Sequence, residues 1–336
     1  MKKQTLLTLM VAIATSVTIN AQTIALQSST GSQLFKGQTA LADAYTAASN
    51  ADTLYLSGHT FAPPSAFDKQ LTVIGAGHYV DSTLATGKTF ISGSVILFEN
   101  ADGFYLEGVE ITGGLYFTSN ASVNNVVIKR CKVNSTVTIS GDLSNPTTNL
   151  SLVGNVFIGR IDIDNATNVL LSNNIIANRL FNSNSNQISN NIFLYSSYSS
   201  YCIYGGNNNY INNNVFLTGY INDGNGNTFR NNVIVSSTPG YGATPTASGN
   251  YIGIAQADIF VNQTGTAFNY AHDYHLQNPE TYLGIDGTQV GIYGGTFPYK
   301  EGAVPLNPHI QLKNIAPTTD ANGNLQIEFQ VEAQED

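Results

Sequence analysis

Arg160, Asp162 and Asp164 are the residues of this chain best placed to do chemistry. They alternate with isoleucine in the stretch Arg160-Ile161-Asp162-Ile163-Asp164. In an extended strand successive side chains point to opposite faces, so the three charges share the outer face and the two isoleucines point inward. Arg179 lies five residues after Asn174, as Arg160 lies five after Asn155. If those asparagines mark equivalent places in a repeat, the arginines stack beside Asp162. Two carboxylates and two guanidinium groups on one rigid face could bind an acidic sugar, or a Ca²⁺ ion as the one cofactor to consider. The plain alternative is a surface ion-pair cluster of little energetic consequence.

Three other groups of residues raise the same question. Tyr195, Tyr198, Tyr201 and Tyr204 offer flat rings for stacking on a sugar, with Tyr220 and Tyr241 expected nearby. Their alternative is an inserted loop whose rings pack on the protein itself, and the lack of Trp weakens a sugar platform. His272, Asp273 and His275 form a loose metal-ligand pattern without a third convincing ligand, so no metal is expected there. Cys131 and Cys202 are expected about three repeat units apart, too far for a disulfide, and so to be buried free thiols.

The element that must position these groups is a repeat of about twenty residues. Asn155-Val156-Phe157, Asn174-Ile175-Ile176, Asn191-Ile192-Phe193, Asn214-Val215-Phe216, Asn232-Val233-Ile234 and Asn250-Tyr251-Ile252 recur in series. Several carry a preceding Asn, at Asn173, Asn190, Asn213 and Asn231, and a second marker sits upstream at Asn149, Asn168, Asn208 and near Asn186. The series extends backwards, putting Cys131 and Val109 where Asn155 stands. The stretches are short, alternating and rich in β formers, with no helical period. They predict coils of two or three short strands stacked as a parallel solenoid. Asn155, Asn174, Asn191, Asn214, Asn232 and Asn250 are then expected to form a structural ladder at an inward corner, each amide bonding the next coil.

The ends of the chain carry other signals. Lys2 and Lys3, an apolar run from Leu6 to Val17 and Ile19-Asn20-Ala21 read as a secretory signal peptide over 1–21. The apolar run is too short to remain as an anchor, so no transmembrane segment is expected once the signal is removed. The expected destination is secreted, periplasmic or cell-surface. Leu41, Ala44, Tyr45 and Ala48 share one face of a helix over 38–48, which is assigned as the cap of the first coil. The solenoid with its cap is placed at 22–300, and a C-terminal β-hairpin extension at 301–336, where Leu325, Ile327, Phe329 and Val331 alternate after Asn322-Gly323. That segment reads either as a hairpin closing the far end or as a small β extension. The net charge of −9, with few basic residues, argues against a nucleic-acid partner. Oligomeric state is left open.

Taken with the stretches Ala51–Phe61 (ADTLYLSGHTF), Leu71–Gly77 (LTVIGAG), Asp258–Asn262 (DIFVN), Asp273–Leu276 (DYHL) and Gly284–Gly295 (GIDGTQVGIYGG), the Asn-marked coils resemble the secreted right-handed parallel β-helix proteins of the pectate-lyase-like superfamily, Bacteroidetes type, over roughly 38 to 310. The resemblance implies an all-β, right-handed parallel β-helix. It implies no single activity, because that superfamily spans lyases, hydrolases, esterases and adhesins. The hydrolase signatures Asn-Thr-Asp, Asp-Asp and Gly-His-Gly do not occur in the sequence. The leading expectation is therefore a non-catalytic binder of polysaccharide or of a cell-surface glycan. A lyase or hydrolase acting on an acidic polysaccharide is the second reading, and a structural or adhesive stalk the third.

Overall fold

The computed structural model describes residues 22–118, 122–197 and 199–333. The expected signal peptide lies outside them. Among the described residues, no helix is long and apolar enough to cross a membrane.

The chain winds into a parallel β-helix with three faces. Face 1 begins with an antiparallel hairpin, β1 (Thr23–Ser28) and β2 (Gly31–Lys36), and continues through ten parallel strands from Thr53–Leu56 to Thr246–Ser248. Face 2 stacks ten strands, from Thr60–Phe61 to Tyr251–Ile252, which defines ten coils. Face 3 has six strands, from Val95–Leu97 to Ile203–Tyr204.

Stacking puts like residues over like. On face 2 the inward row runs Phe157, Ile176, Phe193, Phe216, Ile234 in unbroken register. All five are fully buried, and the Phe193 and Phe216 rings stack at 4.8 Å and 9°. The first coil is closed by β1, β2 and the expected helix, α1 (Ala40–Ala47), whose Leu41 and Ala44 are buried. Tyr45 sits half-buried, edge-on to Phe67 at 5.3 Å.

The asparagine ladder is present at the corner between faces 1 and 2. The main-chain N–H groups of Asn155, Asn174, Asn191, Asn214 and Asn232 each donate to the Oδ1 of the next ladder residue, at 2.8 to 3.0 Å. Each Nδ2 donates in turn to a carbonyl of the coil behind, as Asn191 does to Leu171 at 2.7 Å. These five side chains are wholly buried, and Asn250 at the last rung is partly exposed. Cys131 occupies the equivalent slot, its N–H donating to Asn155. Both cysteines are buried free thiols.

The doublets have a second use. The residue before each ladder Asn turns the corner in the left-handed region: Asn173, Asn190, Asn213 and Asn231 have φ of 51 to 60°, and glycine holds the slot at Gly108, Gly154 and Gly249. Asn is the non-glycine residue that tolerates this conformation best. A second buried ladder, Asn186–Asn209–Asn227, runs along another corner in coils 7 to 9. It lies one residue beyond the upstream marker positions, which are themselves left-handed turn residues at Asn149, Asn168, Ser185 and Asn208.

The chain does not finish where the coils do. After Ile252 it turns back, and residues 258–305 run along the outside of face 2 toward the first coils. Val156, Ile175, Ile192, Val215 and Val233 point outward on face 2, and the return segment buries them with Phe260, Leu276, Tyr282, Val290 and Ile292. This explains the Asn-apolar-apolar signature, since a strand covered on both faces needs two adjacent apolar side chains. The corner asparagines stitch the segment down: Asn173 donates to Ile292 and Gly294 O, and Asn231 to Leu283 O. The hairpin His309–Ile315 with Ile327–Glu332 exists as expected. It does not close the far end. His309 and Ile310 share a cleft with Tyr55 and Ile74 of the first two coils, because the return segment carries the chain back along the solenoid.

Replacing a ladder amide by a hydrocarbon of similar size leaves several buried main-chain groups unpaired, each at about 1–3 kcal/mol. Asn191→Leu should therefore lower unfolding free energy by about 3 kcal/mol or more in urea titrations. Asn149→Gly, on the exposed turn row, should change it by less than about 0.5 kcal/mol.

Candidate functional site

The outer side of face 3 gathers most of the sequence-predicted residues. Ile161 and Ile163 point inward, at 0 and 1% exposure, and so force Arg160, Asp162 and Asp164 outward. The stacked register continues this row as Thr138, Asp162, Phe181, Tyr204 on successive coils. Arg160 and Arg179 stand one residue before their strands and so lie in adjacent coils, with Ile161 N–H bonded to Arg179 O at 2.9 Å.

The side chains meet around Arg179. Its Nε donates to Tyr201 O at 2.7 Å. Its guanidinium carbon lies 4.6 Å from the Phe181 ring centre, 5.1 Å from Tyr204 and 5.9 Å from Tyr195. Arg160 reaches the other side of this cluster, 5.4 Å from Phe181, and pairs loosely with Asp162 at 3.7 Å. Asp162 also accepts from Asn182 Nδ2 at 2.8 Å. Asp164 is exposed further along the strand, beside Ser140 of the preceding coil.

A second ring pair, Tyr201 and Tyr220, meets edge-on at 5.6 Å. These two line a cleft of about 610 Å³ with Ser196, Thr218, Ser236 and Gln256. Two aromatic pairs thus follow the coil spacing, with hydroxyl and amide groups beside them. Such a surface can stack on sugar rings and hydrogen-bond their hydroxyls.

Not every expected residue joins this surface. Tyr195 only borders it, half-buried against the core with its ring 5.9 Å from the Arg179 guanidinium. Tyr198 lies outside the described residues. Tyr241 follows Gly240, which bridges Tyr220 on face 3, and packs inward against the core residue Phe229 at 4.7 Å. Among the described residues, no three His, Cys, Asp or Glu side chains are placed to hold a metal ion. His275 Nδ1 donates to the Asp273 carboxylate at 2.8 Å, and its ring stacks on Tyr293 at 3.8 Å. No family model, curated protein or solved structure matches the chain.

A second cluster has no motif in the sequence. Glu110, under the return segment, is held by Lys88 at 2.6 Å, Lys132 at 3.0 Å and Asn134 Nδ2 at 2.9 Å. Both lysines also lie over the Tyr270 ring. Tyr270 reaches His78 Nδ1 at 3.2 Å, and the His78 ring is fully buried with Nε2 unpartnered. Burial pushes the imidazole down to about 3, so it is neutral at ordinary pH. Burial alone would raise the Glu110 carboxyl, but donation from Asn134, Lys88 and Lys132 outweighs it and sets it at about 2. Glu110 and Lys132 fill the outward slot that holds Val156 and Ile175 in later coils. A charge in an apolar slot of the aligned repeat was the available signal.

This cluster clamps the return segment to the early coils. The carboxyl titrates lower in the folded chain than its ordinary 4.5, so its stabilisation is complete above that value and is lost as pH falls toward about 2. Glu110→Gln, which leaves two lysines without their carboxylate, should destabilise the protein by about 3–5 kcal/mol at neutral pH. In thermal melts the gap between wild type and variant should close between pH 5 and pH 2.

Proposed function

We propose that the outer side of face 3, across coils 5 to 8, binds an anionic glycan and leaves it intact. The observation that carries this reading is the stacking of two like charges, Arg160 over Arg179, against the Phe181 and Tyr204 rings. Like charges on adjacent strands oppose one another, and the single loose pairing with Asp162 offsets only part of that. A carboxylate or sulfate on a ring-bearing ligand would complete the pairing while its sugar ring stacks on the aromatic face.

The same argument favours a binder over an enzyme. The carboxyl and imidazole whose titration is driven far from ordinary values, Glu110 and His78, lie beneath the return segment, while face 3 carries Asp162, Asp164 and, one coil beyond Tyr204, Asp223, which accepts from Gly205 N–H at 2.8 Å. The ten coils, the amide ladder and the return segment support placing the chain with the pectate-lyase-like β-helices. The N-terminal apolar run supports export to the periplasm or cell surface, where such polymers occur.

The test is affinity electrophoresis and calorimetry against polygalacturonate, a sulfated galactan and a neutral glucan. Binding to the acidic polymers should weaken with salt, and should fall at least about tenfold, or ~1.4 kcal/mol, in Arg179→Ala and in Tyr204→Ala. Equal affinity for the neutral glucan, or unchanged binding in both variants, would sink the site. Appearance of unsaturated products or new reducing ends would replace binding with catalysis.

A further inference from the structure

We propose that the uncovered end of the solenoid is a self-association surface, through which two copies of this chain join tail to tail. The two ends differ. At the first coil the inward residues Ile24, Leu26 and Leu54 are buried beneath β1, β2 and α1. At the tenth coil no described residue covers the core in a comparable way. Ile252, which pairs with the fully buried Ile234, is 47% exposed. Ala247, which pairs with the fully buried Phe229, is exposed together with Thr246 and Ser248 on either side. Tyr241 covers part of Phe229 and stays half-buried.

The strands Thr246–Ser248 and Tyr251–Ile252 are the last in their sheets. An edge strand presents main-chain N–H and C=O groups ready to pair. Natural edges are blunted by charge, proline or a covering element. Here Pro245 stands just before the first strand, and neither strand contains a charge or a proline.

Charge points to a second copy as the occupant. The chain carries −9 overall, yet between Arg230 and Asp258 it has no Lys, Arg, Asp or Glu. Two copies repel over most of their surfaces and can approach at this end without that penalty. Head-to-tail stacking is blocked by the cap on the first coil. The remaining arrangement is isologous, the two exposed ends related by a two-fold axis, and it closes at two. The small side chains Ala247, Ser248 and Gly249 permit the close approach that strand pairing needs.

Sedimentation equilibrium of the full chain, across micromolar to millimolar concentrations, tests this. The expected result is a monomer–dimer equilibrium with no larger species. Ile252→Glu should abolish the dimer with an unchanged far-ultraviolet circular dichroism spectrum. Should that variant fail to fold, Ala247→Lys serves in its place. Ser248→Cys should form an intermolecular disulfide on oxidation, since both native thiols are buried. Phe329→Glu, on the exposed C-terminal hairpin, should leave the dimer intact. A monomer at every concentration, an open-ended series of oligomers, association indifferent to Ile252→Glu, or association lost in Phe329→Glu would each overturn the proposal.

Discussion

The buried amide ladder is the constraint on which the rest of the structure depends. Each coil must turn a tight corner, and a corner leaves main-chain groups that no strand can pair. The ladder Asn answers both sides of that need. Its carbonyl takes the N–H of the preceding rung, and its amide returns two hydrogens to carbonyls and to the next rung. The geometry repeats only if every coil places the same atom at the same height. Once it does, all rows on all faces are aligned, including the inward phenylalanines and the outward row on face 3.

The corner also decides what covers the outside. Because the residue before the ladder must adopt a left-handed conformation, it is Asn or Gly in nearly every coil. Where it is Asn, its side chain points away from the core and can grip a passing backbone. Residues 283–294 use that row: Asn190 Nδ2 donates to Gly291 O at 3.3 Å, and Ile285 N–H donates to Asn213 Oδ1 at 3.0 Å. Where it is Gly108, a Cβ would meet Pro305 at 2.4 Å, so the return segment can pass only because the side chain is missing. Arg130 is the exception in this row, at φ 51°, with its guanidinium paired to the buried Glu107.

Much of this was legible from residue type and spacing. The Asn period predicted the coils, their register, the inward Ile161 and Ile163, and the placement of Cys131 and Cys202. The cap helix was legible because Leu41, Ala44 and Ala48 follow a helical period. The return segment was not, although its stretches DIFVN, DYHL and GIDGTQVGIYGG stood out. A chain that pairs with corner side chains has no periodicity of its own. The second ladder, Asn186–Asn209–Asn227, was masked because those residues sit in Asn-rich runs where turn and ladder positions look alike. The Glu110 clamp draws on residues from 78 to 270 and leaves only one local trace, a charged pair in an apolar slot. On face 3, Arg160 and Asp162 could be placed by alternation, whereas the Phe181 ring between the two arginines needed the register itself.

Stacking also explains why so few charges occur, 10% of the chain, and where they are. A side chain in a solenoid has its counterpart about 4.8 Å above and below. Two like charges at that distance cost roughly 1 kcal/mol in water and several times that when half-buried. Amides and hydroxyls can repeat without limit, because each both donates and accepts, and they fill the exposed rows. Where charges do stack in register, the signs oppose: Glu107 faces Lys129, and Glu110 faces Lys132. Arg160 and Arg179 break that pattern, at the coil where aromatic rings replace the polar row. An unfavourable stack maintained beside exposed rings has a physical rationale if the missing negative charge arrives with a ligand. Within the fold, Arg179 is held by its bond to Tyr201 O and by the Phe181 and Tyr204 rings, whereas a Thr or Asn in either position would have stacked without opposition.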